Sequence, residues 1–391
     1  MDYNAAALAM HKEYRGKLTV QSLVPVRDKD ALSTAYTPGV AEPCRRIHQN
    51  PEDVYTYTLK GRTVAVVTNG TAVLGLGNIG PEAGLPVMEG KCVLFKEFGG
   101  VDAFPICLNA KTKEEVVAAV KAIAPTFGGI NLEDIRSPEC FEIEAELERN
   151  LDIPVFHDDQ HGTAIIVLAG VLNALKVVGK DIREIKIVQN GPGAAGTAII
   201  KMLKTAGAQD IIAVDEHGIL IPGRAAGLAG HKAALAEQTN PRKVTGGLAE
   251  AVRGADLFIG TSVAGALTPE MAATMAPDAI VFAMANPTPE IMPDAAKAAG
   301  VRVVGTGRSD FPNQVNNVLA FPGIFKGALS VRARDINDAM KLAAARALAA
   351  LVPQKELSEE NILPKAFDPR VAPAVADAVA QAARESGVAR V

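Results

Sequence analysis

The sequence predicts an α/β protein of two domains, with parallel sheets covered by helices. Three observations carry that expectation. At about 100–200 residues per domain, 391 residues suit two compact units. Short Val/Ile-rich runs alternate with helix-patterned stretches along most of the chain. Finally, the glycine-rich GPGAAG (191–196) sits directly between an apolar run and a helical pattern.

The elements follow in order. Residues 1–35 read as helical and then irregular. TVAVVT (63–68), CVLF (92–95) and AFPICL (103–108) read as strands, interleaved with the helical stretches TKEEVVAAVKAIA (112–124) and PECFEIEAELERN (138–150). IPVF (153–156) adds a strand before a helix that starts near Gly162. Beyond it, IKIVQN (185–190), DIIAVD (210–215), ADLFIGTS (255–262), AIVFAMANP (279–287) and RVVGTG (302–307) read as strands buried on both faces. The Ala-rich tail, 335–352 and 369–386, reads as two packing helices. The junction falls near 155–165, giving an N-terminal α/β domain (1–160) and a second, doubly wound domain (161–391). A substrate cleft is expected between them.

Composition narrows the function class. A formal net charge of −4 provides no global basic field for nucleic acid or an anionic membrane. Cys44, Cys92, Cys107 and Cys140 are scattered, with no C-x-x-C pair, which suits a reduced cytoplasmic protein. The start, MDYNAAALAMHKEYRGKL, lacks the basic opening and apolar run of a signal peptide. The most membrane-like stretch, 163–179, is interrupted by Asn173 and Lys176 and reads as a buried helix.

GPGAAG comprises Gly191, Pro192, Gly193, Ala194, Ala195 and Gly196 and satisfies G-x-G-x-x-G. The pattern alone is weak; its setting between strand and helix, with Asp215 ending the next strand, makes it a Rossmann-like dinucleotide site. Gly191 serves the tight turn, Gly193 lets the backbone approach a pyrophosphate, and Gly196 permits close helix–strand packing. The helix N-terminus faces the phosphates, and Asp215 accepts from the adenosine ribose. Glu216 and His217 follow with no adjacent arginine for a 2′-phosphate, which tilts the site towards NAD over NADP. Lys232 is one basic residue able to arrive from elsewhere.

VFHDDQHGTA (155–164) sets Asp158 and Asp159 between two histidines, and INLEDI (130–135) provides a second acidic pair, Glu133 and Asp134. Four carboxylates at two strand ends repel one another unless a cation neutralises them, and oxygen ligands select Mg²⁺ or Mn²⁺ over zinc. The plainer reading, that Asp158 or Asp159 caps the following helix, leaves the other pair unexplained. A zinc hydrolase using His157 and His161 is disfavoured, because H-E-x-x-H needs a glutamate after the first histidine. Tyr36, beside a Thr-Pro-Gly turn, and Lys91, between Gly90 and CVLF, are the acid and base candidates. On pattern alone, each reads more readily as structural: a half-buried aromatic and a snorkelling lysine.

Taken together, LSTAYTPGVAEPC, VAVVTNGTAVLGLGNIGPEAGLPVMEGKCVLFK, NLEDI, VFHDDQHGTA, QNGPGAAG, FAMANPTPE and NNVLAFPG resemble the malic enzymes in their compact bacterial form, over almost the whole chain. The resemblance implies oxidative decarboxylation of (S)-malate to pyruvate and CO₂ with NAD or NADP and a divalent cation. It makes Tyr36 the general acid and Lys91 the general base, and Glu133, Asp134 and Asp159 the metal ligands. Asp158 then stands beside the lysine, and Asn286 and Asn317 contact malate or the nicotinamide side. It also implies a homodimer or larger assembly, with residues 1–30 as an intersubunit contact. One departure stands out: larger members carry a substrate-binding arginine where this chain has Ala72. Two rival readings are a lyase that converts malate to lactate with bound NAD, and a non-catalytic NAD sensor.

Overall fold

The computed structural model describes residues 2–228 and 230–391. Its first sheet contains β1 (Thr63–Thr68), β2 (Asp102–Cys107), β3 (Gly129–Leu132) and β4 (Val155–His157), in the order β2-β1-β3-β4 and wholly parallel. The second contains β5 (Lys186–Asn190), β6 (Asp210–Asp215), β7 (Gly218–Ile219), β8 (Leu257–Gly260), β9 (Ile280–Ala283) and β10 (Val303–Thr306). Its order is β10-β9-β8-β5-β6-β7, with only β7 antiparallel. Every residue of β1, β3, β8, β9 and β10 is buried, because helices cover both faces of a parallel sheet. Strand order reverses at β1 in one sheet and at β5 in the other. Open parallel sheets bind ligands beyond the carboxyl ends of their strands at such points.

CVLF is not a strand. It closes the helix Pro81–Leu94 and runs on into a wide turn at Phe95–Gly99. Met88, Cys92 and Phe95 recur at helical spacing, all 1% exposed or less, and Lys91 shares their face. The apolar run is therefore the end of one buried helical stripe, which a four-residue window cannot distinguish from a strand. The helix after β4 also starts earlier than expected, at Asp158, and runs to Val178. It is long and apolar enough to cross a membrane, yet it is a core helix here. Asn173, fully buried, donates to the carbonyls of Ala349 and Ile362 at 2.8 and 2.9 Å.

One apolar core spans both sheets. The helix Phe321–Ser330, late in the chain, packs back against the first sheet's layer. Phe95 meets Phe321 and Phe325 edge-on at 4.7 and 5.3 Å, and Phe156 meets Phe325 at 5.8 Å. The N-terminal helices Tyr3–Tyr14, Lys29–Ala35 and Ala41–Gln49 bury no residue, although Leu8, Tyr14 and Leu32 are large and apolar. Lys17 ties this arm to the helix of Lys91, through its ammonium on the Pro86 carbonyl and its backbone N–H on Glu89.

Candidate active site and cation cluster

Beyond the carboxyl ends of β1, β3 and β4, the chain gathers one lysine and four carboxylates. Lys91 lies on the buried face of its helix, its ammonium 2.6 Å from Asp158 Oδ2 and 2.8 Å from Glu133 Oε1. The Phe321 ring covers the ammonium at 4.3 Å. Burial opposes charge on Lys91, but Asp158 and Glu133 outweigh it and hold the ammonium's pKa above its ordinary value. Burial pushes Glu133 up to about 7 and Asp158 to about 6, with Lys91 pulling each back. The snorkelling reading of Lys91 fails, because its charge faces inward.

Asp158 and Asp159 occupy the first turn of the 158–178 helix, whose N-cap is His157 without a side-chain cap bond. The capping reading therefore does not hold. Asp159 Oδ2 instead accepts from the Asp134 backbone N–H at 2.7 Å, joining the two acidic pairs across β3 and β4. One oxygen each from Glu133, Asp134 and Asp159 lies within 4.8 Å of the others. Oxygen donors of one sign at that spacing fit a hard divalent cation. Burial raises Asp159 to about 6, with Lys91 pulling it back and the Asp158 charge adding to the rise. Gly162 is the enabling neighbour: a Cβ there would lie 1.9 Å from Asp158 Oδ1.

Behind this cluster Glu144 pins the turn. Its carboxylate accepts from the His157 backbone N–H at 2.8 Å, Gln160 Nε2 at 3.0 Å and His161 Nε2 at 3.0 Å. Burial opposes that charge, while His161 and its other partners hold Glu144 down at about 2. His161 is thus engaged by a carboxylate of the core, and the cation cluster contains no histidine. Ala72 donates its backbone N–H to the Asp134 carbonyl at 3.0 Å, which brings the TNGTAVLGLG loop to the cluster's edge.

The glycine-rich loop lies between β5 and the helix Ala194–Thr205, with Gly193 as N-cap and Ala194 and Ala195 in the first turn. Gly191 has φ +88°, and a Cβ there would lie 2.5 Å from the Thr261 carbonyl oxygen; nothing lies within 4 Å of the corresponding position at Gly193. A Cβ on Gly196 would lie 2.2 Å from the Gly191 carbonyl oxygen. The loop is tight at both ends and open in the middle, as a pyrophosphate cradle requires. His231 donates to the Pro192 carbonyl at 2.9 Å and steadies it. Asp215, at the end of β6, is held by Arg224 and Lys232.

Lys91, Glu133, Asp134, Asp158 and Asp159 thus stand together, and Asn317 joins them by donating to Asp158 Oδ2. Asn286 follows β9 on the surface, with its amide against Gly307. Tyr36 is 68% exposed, and no hydrogen bond or ion pair joins its side chain to the cluster among the described residues. Three participants escape the sequence reading: Phe321, Glu144 and Arg224. Glu144 left a signal, since it falls within the buried stripe Cys140, Ile143 and Leu147 of its helix. The other two meet their partners only through the fold.

Known proteins resemble this chain throughout. The profile of the malic enzyme N-terminal domain matches residues 15–116 and 111–148, and that of the malic enzyme NAD binding domain matches 160–384. A bifunctional malic/malolactic enzyme of Bacillus subtilis is 60% identical over 391 residues, covering 100% of this chain and 95% of its own. An NAD-dependent malic enzyme of Geobacillus stearothermophilus is 56% identical, covering 96% of this chain and 78% of its own. The crystal structure of a malic enzyme from Pyrococcus horikoshii superposes with a TM-score of 0.94 at 50% identity, covering 98% of this chain and 92% of that one.

Proposed function

This chain belongs to the malic enzyme family, and from that premise we propose how its own residues perform the reaction. The activity is NAD(P)-dependent oxidative decarboxylation of malate to pyruvate and CO₂. The observation that carries the site assignment is the buried Lys91 ammonium between Asp158 and Glu133, with Glu133 also in the three-carboxylate cluster. Glu133, Asp134 and Asp159 would hold Mg²⁺ or Mn²⁺. When bound there, such a cation would supply Lewis-acid polarisation of a malate oxygen, with the dinucleotide as the hydride acceptor.

The protein groups then move protons. Were Glu133 engaged by a cation, Lys91 would keep Asp158 alone as its close counter-charge, which would lower its pKa in the direction a base needs. It takes the proton of the C2 hydroxyl as hydride leaves, and returns one to that oxygen after CO₂ departs. Asp158, fixed by Asn317, keeps the amine aimed at that oxygen. Tyr36 then protonates C3 while Lys91 takes the enol proton back, which gives pyruvate. Its exposure, on an arm whose helices bury nothing, favours delivery from a second copy of the chain, hence a homodimer or larger assembly. Asn286 belongs to the nicotinamide side. The division at 160/161 assigns the acid–base and cation groups to the first unit and the dinucleotide to the second. Four free thiols suit a reduced cytoplasmic setting.

Malate-dependent reduction of NAD and NADP, assayed in parallel with Mg²⁺, Mn²⁺ and a chelator, tests this reading. Activity undiminished in excess chelator would remove the cation cluster from the chemistry. A second reading, conversion of malate to lactate with retained NAD, is favoured by the malolactic activity named for the Bacillus subtilis relative. Lactate formed without net NADH distinguishes it.

A further inference from the structure

Glu290 is fully buried, and no cation pairs with it among the described residues. Its three donors are neutral. Oε1 accepts from the Ser262 backbone N–H at 2.8 Å and the Ser262 hydroxyl at 3.1 Å, and Oε2 accepts from the Ala285 backbone N–H at 2.9 Å. Asn190 Nδ2 donates to Ser262 Oγ at 2.8 Å, which leaves the hydroxyl proton for Glu290. Gly260 makes the space, since a Cβ there would lie 2.4 Å from Glu290 Cδ. Burying a carboxyl group away from any cation is costly, and an apolar residue would avoid that cost. The donors here approach from two sides, which calls for a side chain that accepts on both of its oxygens.

Those two sides belong to different loops. Ser262 follows β8 and Ala285 follows β9, both beyond the carboxyl ends of the second sheet. The Ser262 side is laced to the glycine-rich loop: Thr261 Oγ1 donates to the Gly191 carbonyl at 2.7 Å, and the Thr261 backbone N–H donates to the Asn190 carbonyl at 2.9 Å. The Ala285 side leads directly into Asn286. The Asn286 carbonyl oxygen lies 3.4 Å from the Cβ position of Gly75, in the TNGTAVLGLG loop at the edge of the cation cluster. Glu290 thus bridges the pyrophosphate cradle and the loop that reaches towards the first unit.

We propose that Glu290 is a positioning residue for hydride transfer: it fixes the loop that carries Asn286 against the glycine-rich loop, and so sets the nicotinamide ring relative to malate. It acts through Asn286, and the proposal rests on the reading that Asn286 belongs to the nicotinamide side. The dinucleotide is held at its pyrophosphate, while the ring at its far end must come within about 3–3.5 Å of the malate C2, where a displacement of about 1 Å costs about 10²-fold in rate. A glutamine at 290 keeps the size but turns an NH₂ towards one set of donors, either those of Ser262 or that of Ala285. One of the two loops is then released.

A double-mutant cycle on turnover tests it, in the full chain with saturating malate, divalent cation and dinucleotide. Glu290→Gln lowers kcat by about 10–100-fold. ADP, which occupies only the adenosine end, still binds this variant within about 3-fold of the wild type by calorimetry, a readout that general loss of structure would not spare. Asn286→Ala also lowers kcat, and the double variant loses little more than the worse single one, because both act on one loop. Ser262→Ala removes one donor and leaves Glu290 intact; it gives a smaller loss with the same non-additivity, and carries the cycle if Glu290→Gln fails to bind ADP. Losses that multiply in the double variant overturn the proposal, as does a wild-type kcat in Glu290→Gln. A wild-type kcat in Asn286→Ala overturns instead the nicotinamide reading of Asn286, and the proposal falls with its premise.

Discussion

Lys91 and Gly162 are the two positions where a single atom decides the outcome. Removing the amine in Lys91→Ala costs turnover roughly 10²–10⁴-fold, the usual scale for an acid–base group. Steady-state rates with saturating malate measure it, and near-normal turnover removes Lys91 from the mechanism. Gly162→Ala tests the space beside Asp158, because its new Cβ would lie 1.9 Å from Oδ1. Alanine favours a helix by about 1 kcal/mol over glycine, so the variant is expected to fold and yet lose activity. A fully active Gly162→Ala would show that the position of Asp158 is unimportant. At this scale much of the site was legible, since VFHDDQHGTA and INLEDI display their carboxylates as adjacent pairs whose mutual repulsion demands an explanation. Phe321 and Arg224 were not legible. An aromatic above an ammonium and a guanidinium on a carboxylate are defined by contacts, and those contacts join residues that local pattern does not relate.

The helix Asp158–Val178 and the Glu144 clamp behind it set the behaviour of the next scale. Glu144→Ala leaves two buried donors, the His157 N–H and Gln160 Nε2, without their acceptor, at about 1–3 kcal/mol for each, and frees the half-buried His161. A clear fall in thermal midpoint is expected, with faster amide exchange confined at first to the turn at 157–161. Acid probes the same network. Burial lowers His157 and His161 below the ordinary histidine value of 6.5, so the unfolded chain binds protons there that the folded one refuses. The two histidines therefore contribute in full above 6.5 and lose that contribution as pH falls, while Glu133 at about 7 and Asp158 and Asp159 at about 6 add stability over the same fall. Glu144, held at about 2 against an ordinary 4.5, adds a second decline below 4.5. A midpoint that does not fall as pH drops below about 4 would contradict this account. Element type was readable wherever periodicity ran long, as in 112–124 and 138–150. It failed at CVLF, because four apolar residues fit a strand as well as the last turn of a helix.

For the whole molecule, the governing fact is that the chain returns. Parallel strands, two sheets and a switch point in each follow from the alternating pattern, but nothing local announces that Phe321–Ser330 covers the first sheet's layer. A fragment of residues 1–160 is therefore expected to remain largely unfolded alone, as read by near-ultraviolet dichroism. Adding residues 161–391 in trans restores structure if that aromatic contact is what is missing. Asn173→Ala acts across the same long range: it strips a donor from the Ala349 and Ile362 carbonyls and destabilises by about 1–3 kcal/mol, measured by urea denaturation.

The ring above Lys91 also imposes an order of assembly. On the ribosome, the lysine and all four carboxylates are synthesised long before Phe321 and Asn317 emerge, so a nascent chain holds its reactive charges in water, with neither lid nor tether. Products of interrupted translation should be inert rather than partly active, because the last stretch to be made is the one that dries the amine.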